Sequence, residues 1–325
     1  AGTFQWIPAI LCFLFAFSMQ IDANFINDYY DYLKGSDRED RLGPERACAQ
    51  GWITLSAMKK GMIATTLLSC FWGLLLLKYC GLEMIPVGML CVLFAFLYTA
   101  GPYPLAYHGW GDVLVIVFFG FVPVGCTYYT MAHDWTWNVT IACAACGLVS
   151  DLLLMLNNYR DREQDKISGK RTLIVRFGEK AGRYAYLTLG ILAVGLCSFY
   201  AFNGYLMASL LPIFFLLLHF TTWREMVCIY QGKELNIVLG KTARNIVVFG
   251  LLLSIGLILS FFYQYGSISR DTFLTSGRAT FFGRGSFDGN IIHIYLHQLG
   301  KHFLHFRNTR FQFRTFSTYR CIYIA

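Results

Sequence analysis

Long runs of apolar residues separated by short polar segments occupy the chain as far as about residue 266. Each run has roughly the 20 residues that a helix needs, at about 1.5 Å per residue, to cross about 30 Å of bilayer hydrocarbon. The pattern therefore predicts an all-α fold, a polytopic transmembrane helix bundle of which eight spans are visible. The predicted spans are 4–25, 56–77, 84–101, 113–131, 137–156, 184–202, 205–220 and 246–265.

Composition supports a membrane protein. Of the 325 residues, 56% are hydrophobic and only 14% are charged, which argues against a water-soluble domain. The first apolar run starts almost at Ala1, without the basic flank and cleavage site of a signal peptide, so we expect the chain to be truncated at its start. Most of the eleven cysteines lie inside apolar runs, where a thiol packs as a small hydrophobic group.

Basic residues are unequally distributed between the two faces that alternating spans define. The loops after the first, third, fifth and seventh spans, with the adjoining span ends, contain 18 Lys and Arg residues, whereas the opposite loops contain only Lys78. The positive-inside rule then predicts that the first face is cytoplasmic.

Residues 267–325 have a different character. They contain eight Lys and Arg against two Asp, have no sustained apolar period, and would emerge on the face that is otherwise poor in positive charge. We therefore predict a transmembrane domain over residues 1–266 and a basic tail over 267–325 that is disordered or foreign to the functional core.

Two clusters of acidic and amide side chains stand at the ends of apolar runs on the predicted cytoplasmic face. Helical spacing aligns the members of each cluster on one helix face. The first comprises Asn24, Asn27, Asp28 and Asp31, and the second comprises Asp151, Asn158, Asp161 and Asp165. Acidic groups in a span are costly and are usually retained for ions or substrates, although Asp161 and Asp165 alone could instead decorate a solvated loop.

This pattern favours a site for Mg²⁺ and a diphosphate. Mg²⁺ is typically held by one or two carboxylates and completes its octahedral shell with phosphate oxygens and water. Cations near the clusters could neutralise the remaining phosphate charge, and they are Lys34, Arg41, Arg46, Arg160, Lys170 and Arg171.

Three segments resemble the signatures of UbiA-superfamily membrane prenyltransferases. They are NDYYDYLKGSDREDRLGPER over 27–46, NNYRDREQDKISGKRTLIVRFG over 157–178 and YTAGPYPLAYHGWGD over 98–112. The second and third segments are most similar to the branch that prenylates 1,4-dihydroxy-2-naphthoate in menaquinone synthesis. The resemblance covers about residues 6–265.

The resemblance implies a helical bundle around a central cavity that opens to the cytoplasm and laterally to lipid. It implies that Asp28 and Asp31 bind one Mg²⁺ and that Asp161 and Asp165 bind another. Residues that would orient ligands or contact the diphosphate are Asn24, Asn27, Asn158, Arg160, Lys170, Tyr98 and Tyr103. The family often has an Asp where this chain has Gly35, so Asp37 or Asp40 would have to substitute. Family members have about nine spans, which implies that the first helix is missing here.

The implied activity is Mg²⁺-dependent transfer of a polyprenyl group from its diphosphate to 1,4-dihydroxy-2-naphthoate, with decarboxylation to demethylmenaquinone. The implied setting is the bacterial cytoplasmic (inner) membrane, with the active-site loops cytoplasmic and no nucleic-acid partner; the oligomeric state stays open. One alternative is another aromatic prenyltransferase acting on 4-hydroxybenzoate or homogentisate, or one that attaches phytyl. A more distant alternative is a cation-coupled transporter, although its acids would lie nearer the membrane midplane.

Overall fold

The computed structural model describes residues 3–36 and 41–279, with side chains to residue 263. Every regular element in these ranges is helical, and eight helices are long and apolar enough to cross a membrane, which confirms the predicted all-α polytopic fold. We number them spans 1 to 8. Their bounds are Trp6–Leu33, Leu55–Cys80, Leu82–Thr99, Gly111–Ala132, Trp137–Arg160, Glu179–Phe202, Leu206–Ile229 and Leu235–Tyr263.

Several spans are longer than their apolar runs predicted, and spans 1, 7 and 8 differ most. Span 1 continues to Leu33, so the first acidic cluster occupies the last turns of an unbroken helix. Span 8 begins at Leu235 rather than near residue 246, because its first turns are polar on one face only, and Leu235 and Val238 are fully buried. Polar residues at a span end therefore remain helical where the other face still packs.

The spans pack in chain order within a compact unit over residues 1–267. Span 1 packs against spans 2 and 3, and span 5 packs against spans 4 and 6. A core of fully buried side chains joins spans 5 to 8, with Tyr186, Phe215 and Phe249 among its largest members. In a second unit, over residues 268–325, the described part is helical as far as Ala279.

Span 4 contains a π-helical stretch, Val117–Cys126, around Pro123. The wider π-helical turns make room for the proline ring. The Pro123 nitrogen carries no N–H and so cannot donate a backbone hydrogen bond. Span 4 lies unusually close to span 5 here, since a Cβ added to Gly120 would lie 2.4 Å from the carbonyl oxygen of Cys143. Glycine is required for this approach, which brings the start of span 4 against the polar end of span 5.

Large apolar side chains cover the outer surface of the spans, including Trp6, Phe13, Leu74 and Leu217, each more than half exposed. Such a surface is unfavourable in water and suits contact with lipid chains. The chain is therefore a multi-pass membrane protein.

The loops that follow spans 1, 3 and 5 meet at one end of the bundle. Lys34 donates a hydrogen bond to the carbonyl oxygen of Thr99, and the backbone N–H of Arg171 donates to the carbonyl oxygen of Tyr107 at 2.8 Å. Asn236, at the start of span 8, donates to the carbonyl oxygen of Leu42 at 2.9 Å. These bonds tie the three loops into one rim.

Candidate functional site

A polar chamber of about 510 Å³ lies beneath this rim, beside an apolar chamber of about 700 Å³ inside the bundle. The apolar chamber is lined by spans 1 to 5 and by one residue of span 8. Five residues line both chambers and so form the seam between them; they are Asn24, Asn27, Tyr98, Leu154 and Asn157. The cavity therefore combines a polar compartment for a charged group with an apolar compartment for a hydrocarbon chain.

Asp31 brings the first acidic cluster into the polar chamber. Its carboxylate is 6% exposed and accepts a hydrogen bond from the Tyr107 hydroxyl at 3.0 Å. The Tyr107 hydroxyl also shares a short hydrogen bond with Ser36, so the loop after span 3 is joined to the end of span 1. Asn27 accepts a hydrogen bond from the Thr99 hydroxyl. Span 3 thereby fixes the orientation of this acidic face.

Asp28 is held by backbone hydrogen bonds. Its two carboxylate oxygens accept the backbone N–H groups of Ala47 and Cys48 at 3.0 and 3.3 Å, and the side chain is 7% exposed. Asp28 is not among the residues that line either chamber. In this arrangement it anchors the part of the loop between spans 1 and 2 that contains Ala47 and Cys48.

The buried Arg160 and the partly exposed Asp161 form a bidentate pair at the end of span 5. The guanidinium donates to the two carboxylate oxygens at 2.7 and 2.6 Å and to the side-chain oxygen of Asn236 at 2.7 Å. Arg160 is 4% exposed, and a Cβ added to Gly43 would lie 2.8 Å from its Nη2. Three separate segments of the chain thus hold one guanidinium in place.

Asp165 lies one helical turn beyond Asp161 in the short helix Arg162–Ile167. Burial raises the pKa of Asp165 to about 6, the charges of Asp161 and Asp31 add to this increase, and Lys170 opposes it. The Lys170 Nζ lies 3.9 Å from the Asp165 carboxylate, so the pair is ionic rather than closely hydrogen-bonded. Asp31, Asp161 and Asp165 all line the polar chamber, so side chains of both acidic clusters share one cavity.

Two lysines lie over the ring of Tyr107. The Nζ atoms of Lys34 and Lys170 are each 4.9 Å from the ring centroid. Burial lowers the pKa of Lys34, Lys170 adds to this effect, and Asp31 opposes it. The polar chamber therefore carries positive charge beside its carboxylates, as a diphosphate site requires.

Most residues predicted for the site line the polar chamber. These are Asn24, Asn27, Asp31, Tyr98, Asn158, Arg160, Asp161, Asp165 and Lys170. Tyr103 does not: it is 56% exposed and stacks on His108 with ring centroids 3.5 Å apart. Asp37 and Asp40, the candidates for a further acidic ligand, lie outside the described residues.

Three further side chains present unpartnered buried atoms to the polar chamber. Within the described residues, Arg46 Nε, Asp112 Oδ1 and Gln164 Oε1 have no hydrogen-bond partner, and all three residues line the chamber. Buried polar atoms are usually satisfied, so three orphans in one cavity indicate a ligand. The sequence could have indicated Gln164 and Arg46, because they lie inside the signature segments 157–178 and 27–46. Asp112 gave no comparable signal, because it is a single acid at the start of an apolar run.

The donor set suits a hard divalent cation such as Mg²⁺. The chamber offers carboxylate and amide oxygens from both clusters, and Gln164 adds an unpartnered amide oxygen. The described residues include no group of three or more His, Cys, Asp or Glu side chains already arranged around a metal position.

Comparison with known proteins shows the family and the fold of the chain. The model of the UbiA prenyltransferase family matches residues 1–227. The chain is 34% identical to 1,4-dihydroxy-2-naphthoate octaprenyltransferase from Escherichia coli over 80% of this chain and 86% of the relative. It is 33% identical to the Haemophilus influenzae protein of the same name over 79% and 85%.

A solved structure of a UbiA homolog from Archaeoglobus fulgidus bound to GPP and Mg²⁺ has the same fold, with a TM-score of 0.51 and 18% identity over 76% of this chain and 88% of the other. The enzyme relatives exclude the transporter alternative. The chain belongs to the UbiA prenyltransferase family and is an aromatic prenyltransferase of that family.

Proposed function

We propose that this enzyme transfers a polyprenyl group from polyprenyl diphosphate to 1,4-dihydroxy-2-naphthoate, with loss of CO₂, to give demethylmenaquinone. The observation that carries the proposal is the pair of joined chambers, one polar and lined by both acidic clusters, the other apolar and deep in the bundle. A prenyl diphosphate has the same two parts. The acceptor is inferred from the names of the relatives from Escherichia coli and Haemophilus influenzae.

The carboxylates would hold Mg²⁺, with Asp28 and Asp31 at one ion and Asp161 and Asp165 at another. Asp28 contributes from the edge of this set, because its oxygens already accept two backbone N–H groups. When bound, Mg²⁺ supplies positive charge that neutralises the diphosphate leaving group. The remaining proposed roles are orientation by Asn24, Asn27 and Asn158 and diphosphate contact by Arg160, Lys170, Tyr98 and, from sequence only, Tyr103.

The chain's own cations assist departure of the diphosphate. Lys170 and Lys34 line or border the polar chamber and stabilise the negative charge that builds as the allylic C–O bond breaks. The rigid Arg160 pair keeps the Asp161 carboxylate in one orientation at no reorganisation cost. The apolar chamber excludes water from the hydrocarbon, so the allylic cation is captured by the aromatic ring rather than hydrolysed.

Carbon–carbon bond formation needs no strong base in this scheme. The ring carbon that bears the carboxylate attacks the allylic carbon with a pair of ring electrons. Loss of CO₂ returns the pair from the breaking C–C bond to the ring and restores aromaticity. The product is demethylmenaquinol, which is oxidised to demethylmenaquinone outside this site.

The proposed setting is the bacterial cytoplasmic membrane, with the rim of the polar chamber facing the cytoplasm. The positive-inside rule supports this orientation, because the loops after spans 1, 3, 5 and 7, with the adjoining span ends, carry 18 Lys and Arg residues and the opposite loops carry only Lys78. We also propose that residues 1–266 contain the whole active site and that the basic segment 267–325 is dispensable. The family model matches only residues within the first of these regions.

The activity can be tested in vesicles that contain the purified chain. With a polyprenyl diphosphate and carboxyl-labelled dihydroxynaphthoate, we expect labelled CO₂ and pyrophosphate in equal amounts, and only when Mg²⁺ is present. Asp31→Asn and Asp161→Asn should each abolish release, whereas Asp134→Asn, an exposed acid in the opposite loop, should not. Preference for 4-hydroxybenzoate would contradict the acceptor alone, and full activity in EDTA would contradict the metal sites.

A further inference from the structure

Asp112 is a buried acid in the polar chamber that the proposed mechanism does not use. It lies in the first turn of span 4, and only 7% of it is exposed. Among the described residues its Oδ1 has no hydrogen-bond partner, although the residue lines the chamber. Such an oxygen is costly to leave unpaired in a folded protein, which suggests that a ligand completes it.

Asp112 adjoins the seam between the two chambers. Its neighbour Gly111 packs against two seam residues, because a Cβ added there would lie 3.3 Å from the Tyr98 hydroxyl and 3.1 Å from Leu154 Cδ2. With the diphosphate in the polar chamber and the prenyl chain in the apolar one, the bond that breaks lies at this seam. The aromatic acceptor has to reach the same place, and so it comes next to Asp112.

The chemistry of the chamber indicates what kind of group Asp112 binds. Three cations at the chamber have other partners: Arg160 pairs with Asp161, Lys170 lies beside Asp165, and Lys34 donates to a backbone carbonyl. Arg46 also lines the chamber, but its Nε is itself without a hydrogen-bond partner among the described residues and so does not bond Asp112. A carboxylate repels a diphosphate, so the missing partner is a neutral hydrogen-bond donor. Each ring hydroxyl of a dihydroxylated aromatic acceptor is such a donor.

We infer that Asp112 Oδ1 accepts a hydrogen bond from a ring hydroxyl of the aromatic acceptor and orients the ring toward the allylic carbon, an inference that rests on the proposed function. The bonded hydroxyl is the one on the ring carbon next to the attacking carbon. When the ring electrons form the new C–C bond, positive charge spreads onto this hydroxyl, and its hydrogen bond to the carboxylate becomes stronger. The proton stays on the hydroxyl, because loss of CO₂ returns an electron pair to the ring. Asp112 thus stabilises charge without a net proton transfer.

The test pairs changes in the residue with changes in the hydroxyl. Wild type, Asp112→Asn and Asp112→Leu are assayed in vesicles with 1,4-dihydroxy-2-naphthoate and with each of its two mono-O-methyl ethers. In wild type, methylation of the bonded hydroxyl should lower kcat/KM by tenfold or more, as expected for a hydrogen bond to a charged group. In Asp112→Leu the same methylation should change kcat/KM less than twofold. The KM for prenyl diphosphate and the half-activating Mg²⁺ concentration should stay unchanged.

Asp22→Asn is the matched control, since Asp22 is a fully buried acid whose oxygens accept hydrogen bonds from Thr65 and Thr66 and which lines neither chamber. It should retain the wild-type preference between the free and methylated acceptors. An equal methylation effect in wild type and Asp112→Leu would overturn the inference, as would a shift only in Mg²⁺ dependence, which would make Asp112 a metal ligand. Preference of wild type for 4-hydroxybenzoate would contradict the proposed acceptor, and the same comparison with that acceptor and its methyl ether would then decide the inference.

Discussion

Replacement of Arg160 by lysine tests whether the geometry of the second cluster, rather than its charge, supports activity. The guanidinium makes two hydrogen bonds to Asp161 and a third to Asn236. Lysine keeps the positive charge but has a single nitrogen, so at least one bond to the carboxylate and the bond to Asn236 are lost. Hydrogen bonds to charged groups contribute about 1.5–3 kcal/mol each.

A loss of about 2 kcal/mol in the organisation of the site corresponds to roughly a 30-fold lower kcat/KM, since about 1.4 kcal/mol is tenfold. We therefore expect Arg160→Lys to lower kcat/KM for the prenyl diphosphate by at least that factor and to require more Mg²⁺. The measurement is initial pyrophosphate release in vesicles over a range of Mg²⁺ concentrations. Thermal unfolding in detergent shows whether the variant remains folded.

Arg224→Lys is the control for this experiment. Arg224 is exposed in the last turns of span 7, and its replacement by lysine leaves a basic residue at that position. It should leave kcat/KM and the Mg²⁺ requirement unchanged. Wild-type kinetics for a folded Arg160→Lys would refute the argument, because they would show that a point charge suffices at this position.

Three other predictions follow from the site. Tyr98→Phe should lower kcat/KM at least tenfold because Tyr98 lines the seam, whereas Tyr103→Phe should change it less than twofold because Tyr103 lies outside the chamber; similar effects on both would contradict this placement. Gly43→Ala should reduce activity while the protein stays folded, since its Cβ would meet the Arg160 guanidinium at 2.8 Å, and unchanged kinetics would show that Arg160 can move. The Mg²⁺ concentration for half-maximal rate should be constant above pH 7 and should rise, by up to about tenfold per pH unit, as the pH falls through the Asp165 pKa of about 6, because protons then compete with the metal for the carboxylate. Equal half-activating Mg²⁺ concentrations at pH 5 and pH 8 would refute this prediction.

The number and order of the spans were predictable from the sequence. A run of about 20 apolar residues has to be helical in lipid, because every backbone polar group needs a partner within its own segment. The alternation of spans between the two membrane faces also predicted that both acidic clusters lie at span ends on one side. Span ends were less predictable, as span 8 shows, because polar turns remain helical when one face still packs.

Helical period also predicted which side chains of a cluster share a face, and Asn27 and Asp31 do line the chamber together. It could not predict that Asp28, on the same stripe, would instead accept two backbone N–H groups from the following segment. Spacing fixes positions on one helix, whereas the partner of each carboxylate depends on how distant loops return to it.

The sequence by itself therefore determined a multi-pass helical protein with two acidic clusters at one membrane face, since apolar length and charge distribution are local properties. Only the tertiary structure decided which of these groups face the cavity. It joined a polar chamber to an apolar one, turned Tyr103 outward and brought Asp112 beside the seam. Those outcomes depend on the rotation of each helix against its neighbours and on close contacts such as Gly120 against span 5, which no single segment encodes.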